Sequence, residues 1–434
     1  MEISTGPSPQ AFSLSFALDT IMYSQPLLLL LAILFADFTV ACSHNGAAAA
    51  GHVVRSRRSL QRDPVQPVRR AQTTPVAITN VKYITGKGLS ALSTIQFSNG
   101  IITAILPGGN TGVPPNFKVV NGNGSTLLPG LVESHTHPTN IAELQTLTTY
   151  GITTSLGMGC PYIDNCDALR RQSGLSDFYS AGIAATTPGS VHATILALPP
   201  QDLIYNATQA PSWVRARIAE GSNYIKLIAE TPGLSQDEHN AIVSAAHSNG
   251  KQTATHAAQL DNYQQAITSK TDNIQHAPLD GVLSAAQVKI ILAQGQTVTP
   301  TLAILRKLVV SPFNPPGGTY ANAQQSVTAL NKAGVTILCG TDSDDVLGPY
   351  ATAYGSSMYD ELENLVQAGL SPVQALNSAT SLPAQRYGFN DRGTIAVGKR
   401  ADLLLVGGDP TINVSNARNI KNVWATGIAV TPAA

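Results

Sequence analysis

At 434 residues the chain is long enough to bury one large core plus a smaller satellite domain. Its 26 basic residues balance 26 acidic ones, which excludes a binder that finds nucleic acid through net charge. Charged residues make up only 12% of the chain, a low share compatible with a secreted enzyme.

The first apolar run, Pro26-Leu27-Leu28-Leu29-Leu30-Leu31-Ala32-Ile33-Leu34-Phe35, is short for a bilayer span and is closed by Asp37. The small residues Ala41-Cys42-Ser43 follow, so residues 1–43 read as a secretory signal peptide. The segment ahead of the run is long and lacks Lys and Arg; a start at Met22 removes the excess length. Residues 44–74 read as a disordered pro-segment or linker. Within them Arg55-Ser56-Arg57-Arg58 and Arg69-Arg70 are either dibasic cleavage sites or plain basic linker. The expectation is a secreted protein with no stable membrane association.

Beyond residue 125, strand-like runs alternate with helical ones. Strands are predicted near 127–134, 153–159, 182–187, 223–230, 252–257, 273–277, 297–302 and 335–342. Helices are predicted over 235–248, 283–293, 321–333 and 356–368. Ser235 with Glu238 is a capping-box start, with Asp237 also in the first turn. Such alternation predicts an α/β chain folded as a (β/α)8 barrel. The alternative, an open doubly wound sheet, does not converge residues from so many strands on one point.

The strand ends carry the chemistry. His135-Thr136-His137 closes an apolar run, and strand alternation turns both imidazoles to one face. Such a pair can hold a metal ion. Lys226 lies inside the apolar run Tyr224-Ile225-Lys226-Leu227-Ile228, where an ammonium needs compensation. His256, His276 and Asp342 end three later strands. Each alone has a bland reading: a structural histidine, a helix cap for Asp342, a snorkelling Lys226. Together they place ligands where barrels place active sites. Cys160 and Cys166 sit close in one loop and are predicted to form a disulfide, as an oxidising compartment allows. Cys339 reads as a buried free thiol.

In this order His-x-His, Lys, His, His, Asp resembles the amidohydrolase superfamily. The branch is that with a carboxylated lysine on the fourth barrel strand, as in imidazolonepropionase- and prolidase-like amidohydrolases. The likeness runs from about residue 75 to the C-terminus. It includes Val76-Ala77-Ile78-Thr79-Asn80-Val81, Asn377-Ser378-Ala379-Thr380 and Gly393-Thr394-Ile395-Ala396-Val397-Gly398-Lys399-Arg400-Ala401-Asp402. The resemblance implies a TIM barrel over 126–385 and a small β-sandwich built from the flanks 75–125 and 386–434. It implies two divalent metal ions, with zinc best suited to the ligands. His135 and His137 would bind the more buried ion with Asp342, and His256 and His276 the second. Lys226 would bridge both as N6-carboxylysine. A metal-bridging hydroxide would attack the substrate, with Asp342 as proton shuttle.

His192, Tyr224 and Arg306 are weaker candidates for lining a substrate pocket; His192 also reads as a surface-loop residue and Arg306 as a solvated one. Members acting on dipeptides often carry a Gly-rich segment after the fourth-strand lysine, whereas this chain has Ala229-Glu230-Thr231-Pro232-Gly233. The function expected is hydrolysis of an amide-type C–N bond in an N-acyl amino acid, dipeptide, cyclic amide or related small metabolite. The alternatives are a lactone or ester hydrolase and a single-metal deaminase on the same site. Asn123, Asn206 and Asn413 match the glycosylation acceptor pattern. Partners expected are a small-molecule substrate and no nucleic acid, with a homo-oligomer left open.

Overall fold

The computed structural model describes residues 74–433. The signal peptide, the Met22 start and the basic clusters of the linker lie outside the described residues. No helix among the described residues is long and apolar enough to cross a membrane.

The chain first lays down β1 (Val76–Thr85), β2 (Gly88–Leu89), β3 (Ser93–Ser98), β4 (Ile101–Pro107), β5 (Lys118–Asn121) and β6 (Thr126–Pro129). Val76, Ile78, Ile95 and Phe97 recur with the strand period and pack into one cluster. Asn99 (φ 51°) and Gly100 (φ 75°) join β3 to β4. Asn-Gly suits this hairpin because both positions need left-handed backbone.

The next elements are β7 (Leu131–Thr136), α1 (Ile141–Thr149), β8 (Ile152–Gly157), α2 (Ile163–Leu169), β9 (Asp177–Ser180), α3 (Val191–Ile195), α4 (Ala210–Ala219) and β10 (Ile225–Ile228). Then come α5 (Gln236–Ser248), β11 (Thr253–His256), α6 (Leu260–Ser269), β12 (Asn273–Gln275), α7 (Ala285–Ala293), β13 (Thr297–Thr299), α8 (Leu302–Leu308) and α9 (Tyr320–Ala333). α10 (Ser357–Gln367), α11 (Pro372–Ser378) and α12 (Ser381–Arg386) complete the α/β part. β7-β8-β9 form one parallel sheet and β10-β11-β12-β13 another. Isolated parallel bridges extend them: Ala185 to Leu227, Val298 to Ile337, and Thr136 to Ser343. Leu144, Ile152, Ile274, Val298 and Leu330 share the main core, each contributing about 1.5–3 kcal/mol by burial. The capping box forms: Ser235 N donates to Glu238 Oε2 at 2.7 Å, and Glu238 N donates to Ser235 Oγ at 3.3 Å.

Three strands differ from the expectation, of which the first, 127–134, splits into β6 of the flanking sheet and β7 of the parallel one. The third is Asp177–Ser180 rather than 182–187. Gly182 (φ 68°) bends the chain, and beyond it Ala185 alone forms a bridge, to Leu227. Asp177 reads as a loop residue by type, yet Arg392 pairs with it at 2.9 Å and Arg400 at 2.5 Å. The last run, 335–342, makes no ladder of its own. Leu338 N donates to Val298 O (2.8 Å) and Ser134 N to Cys339 O (3.0 Å). Asp342, at φ 57°, has left extended geometry.

β14 (Leu403–Val406), β15 (Ile420–Ala425) and β16 (Ile428–Val430) close the chain. β14 pairs antiparallel with β6, which pairs parallel with β1. Both flanks therefore join in one nine-stranded sheet. The Trp424 ring packs edge-on against Phe97 at 5.7 Å. Cys160 and Cys166 are disulfide-bonded, with Cα atoms 6.1 Å apart, and Cys339 is free and buried. Asn123, Asn206 and Asn413 are all exposed.

Candidate metal centre

β7 delivers the first two histidines. His135 Nε2 lies 3.1 Å and His137 Nε2 3.0 Å from the same Asp342 oxygen, Oδ1. Asp342 N donates to His135 O (2.8 Å), which fixes the two segments in register. Glu133 strengthens that junction: its Oε1 accepts from His135 N (3.1 Å) and Thr341 N (2.9 Å). Burial pushes the Glu133 carboxyl up to about 8.

Gly340 lets the strands approach this closely. A Cβ there would lie 2.8 Å from His135 N and 2.5 Å from Thr299 Cγ2. Gly340→Ala is expected to destabilise the metal-free chain by about 1–3 kcal/mol and to weaken zinc binding. Denaturant unfolding and a zinc titration check this; two unchanged curves would remove Gly340 from the account.

His276 follows β12, and its Nδ1 lies 3.8 Å from Asp342 Oδ2 and 2.8 Å from Thr301 Oγ1. Tyr263 Oη donates to His276 O at 2.8 Å. The His256 ring lies 4.4 Å from that of His276 and 4.6 Å from that of His192. β10 pairs Ile228 with His256, so Lys226 starts two residues deeper, about 6.6 Å along the strand. Its charge acts on His135, His256 and His276. Lys226 is buried, and desolvation lowers its amine to about 7 against the pull of Asp342.

The electrostatics favour a cation. Desolvation lowers His135 to about 4, and takes His256 and His276 well below their usual value, helped by neighbouring imidazoles. Burial acts to raise the Asp342 carboxyl, but His135, His137 and His276 hold it well below the usual carboxylate range. His135 Nδ1 lies 2.7 Å from Gln275 Oε1, an acceptor, so that nitrogen carries the proton. Nε2 is then free to offer its lone pair to a cation, and imidazole nitrogens gathered on one carboxylate are a donor set that fits a metal. The ligand atoms of His135, His276 and Asp342 all lie within 4.8 Å of one another. His137 joins this set through Asp342, and His256 through His276.

Strain gathers here as well. His276 (φ 73°), Thr301 (φ 50°) and Asp342 (φ 57°) all hold left-handed backbone. For a β-branched threonine this is a genuine outlier, of a kind that clusters at functional sites. Glu361 of α10 holds the strained turn, accepting from Leu302 N (3.0 Å) and Ala303 N (2.6 Å).

Two weaker candidates lie elsewhere. Tyr224 precedes β10 at the opposite strand end, and its hydroxyl donates to Gly157 O (2.9 Å) in a buried cluster. Arg306 is on the exposed face of α8, bonded to Asn364 (2.9 Å) and Gln367 (2.8 Å) and stacked on Tyr320. The structure does not bring either residue to the histidines. It does bring Gln275, Thr301 and Glu230, which sequence reading passed over. Glu230 Oε2 accepts from His192 Nδ1 at 2.8 Å. The available signal was polar residues at the ends of otherwise apolar strands.

A family model described as the amidohydrolase family matches residues 126–430. An imidazolonepropionase from Deinococcus deserti is 27% identical over 214 residues, 48% of this chain and 48% of that protein. The chain thus spans about half the length of that curated relative. Among solved structures, a Xaa-Pro dipeptidase with bound methionine superposes with a TM-score of 0.71 at 21% identity, covering 82% of this chain and 99% of that one. The A. niger ochratoxinase gives 0.67 at 17% identity, covering 83% and 96%. At these identities the likeness speaks for the fold.

Proposed function

The chain belongs to the amidohydrolase family, and we propose that it is a metal-dependent hydrolase of amide-type C–N bonds in small metabolites. The observation that carries this reading is the convergence of His135, His137 and His276 on Asp342, with buried Lys226 alongside. N-acyl amino acids, dipeptides and cyclic amides are the substrate classes proposed. The similarity to proteins named imidazolonepropionase and Xaa-Pro dipeptidase supports that choice.

His135 and His137 would hold one of two divalent ions with Asp342, and His256 and His276 would hold the second. Lys226, whose amine burial lowers to about 7, is partly neutral at that pH; its free amine would take up carbon dioxide and release a proton, and the carbamate oxygens would then serve as ligands. Zinc suits the nitrogen and oxygen donors. When bound, such ions acidify water and polarise the scissile carbonyl. Asp342, charged across the neutral range, accepts the proton of the attacking water and passes it to the leaving nitrogen. Gln275 keeps the His135 proton on Nδ1, so Nε2 stays a ligand.

The fold reading follows the same family. We read the two parallel sheets, with the isolated bridges at Ala185, Ile337 and Ser343 between and beside them, as parts of a (β/α)8 barrel, and the flanking strands as the family's β-sandwich; the bridges support this reading. The exposed acceptor asparagines and the Cys160–Cys166 disulfide support secretion.

The test is hydrolysis across a panel of amides and lactams, with lactones and esters as a separate arm. Turnover is expected on a C–N substrate, with loss on chelation and recovery with zinc. Preference for lactones or esters would shift the chemistry to oxygen leaving groups. A zinc-replete protein inert on every arm would refute the hydrolase reading.

A further inference from the structure

Glu230 lies two residues past the strand that carries Lys226, in the segment that is often Gly-rich in members acting on dipeptides. Its two carboxylate oxygens take two bonds from one residue. Oε1 accepts from His192 N at 3.0 Å, and Oε2 accepts from His192 Nδ1 at 2.8 Å. The loop after β9 is thereby tied to the loop after β10. The first bond alone satisfies a backbone N–H in α3. The second adds little to the fold, because the His192 side chain is 30% exposed and such pairs contribute at most about 1 kcal/mol.

The second bond does determine the chemistry of the ring. A carboxylate only accepts, so Nδ1 carries a proton, and in the neutral ring Nε2 keeps its lone pair. No described residue bonds that Nε2, and the ring packs 4.6 Å from His256. We propose that Glu230 is a positioning residue that fixes the His192 tautomer, so that Nε2 meets the substrate as a hydrogen-bond acceptor beside His256. The matching substrate carries an N–H or O–H donor next to its scissile bond. The substrate half of this inference rests on the hydrolase reading above.

Glu230→Gln tests it, because the side chain keeps its shape but exchanges one acceptor for an NH2 donor. In zinc-loaded protein with 15N-labelled histidine, long-range 1H–15N spectra report each tautomer, and His192→Gln assigns the signal. The wild type is expected to show His192 protonated at Nδ1. The glutamine variant is expected to show it at Nε2, with an unchanged unfolding midpoint. Its kcat/KM should fall roughly tenfold. An analogue with that donor methylated should lose roughly tenfold in the wild type and little in the variant, a selectivity that a merely structural role would not move. A wild-type His192 protonated at Nε2, or a tautomer indifferent to Glu230→Gln, overturns the proposal. A panel with no substrate would count against the hydrolase reading, while the tautomer result still decides on Glu230.

Discussion

Asp342→Asn lowers turnover by about two to four orders of magnitude while the chain still folds. Asparagine tolerates left-handed backbone, so the φ of 57° at this position costs the variant little. The amide keeps an oxygen near His135 and His137, so the metal donors stay close to their native places. What goes is the basic carboxylate. In the native chain His135, His137 and His276 keep that carboxyl charged across neutral pH despite its burial. The amide cannot take a proton from water at any pH used for assay. The measurement is kcat on a panel substrate, beside the unfolding midpoint and zinc content. Undiminished turnover would remove Asp342 from the proton path. Alanine is the poorer choice, because it loses the ligand and strains the backbone together.

Lys226→Ala is expected to lose most metal binding and nearly all activity, with partial rescue by short carboxylic acids. The lysine is buried among imidazoles that are themselves kept neutral, so its ammonium form is penalised. The sign follows from the value of about 7: below it the amine is protonated and cannot add carbon dioxide, and above it the amine is free to do so. Metal uptake from bicarbonate-containing buffer should therefore rise with pH through that point. A short carboxylate entering the space left by the alanine variant restores the bridging oxygens. Full zinc content in Lys226→Ala without added carboxylate would show that the lysine is not a ligand.

Much of the centre was legible because its residues close apolar runs. The order His135, His137, Lys226, His256, His276, Asp342 is a local signal repeated at successive strand ends. What the sequence hides is pairing over distance. Gln275 meets His135 across 140 positions, and Glu230 reaches His192 across 38. β14 joins β6 by antiparallel pairing that no local pattern announces. The third strand was misplaced because Asp177 owes its strand position to Arg392 and Arg400, far along the chain. Tyr224 shares the Lys226 face by alternation, but that face spans both ends of the strand, and Tyr224 lies at the wrong one.

The central claim is a two-ion centre bridged by Lys226. Zinc stoichiometry measures it most directly: the reconstituted protein, dialysed free of loose metal, is analysed for zinc per chain. Two equivalents are predicted. A single retained ion, or none, would contradict the claim.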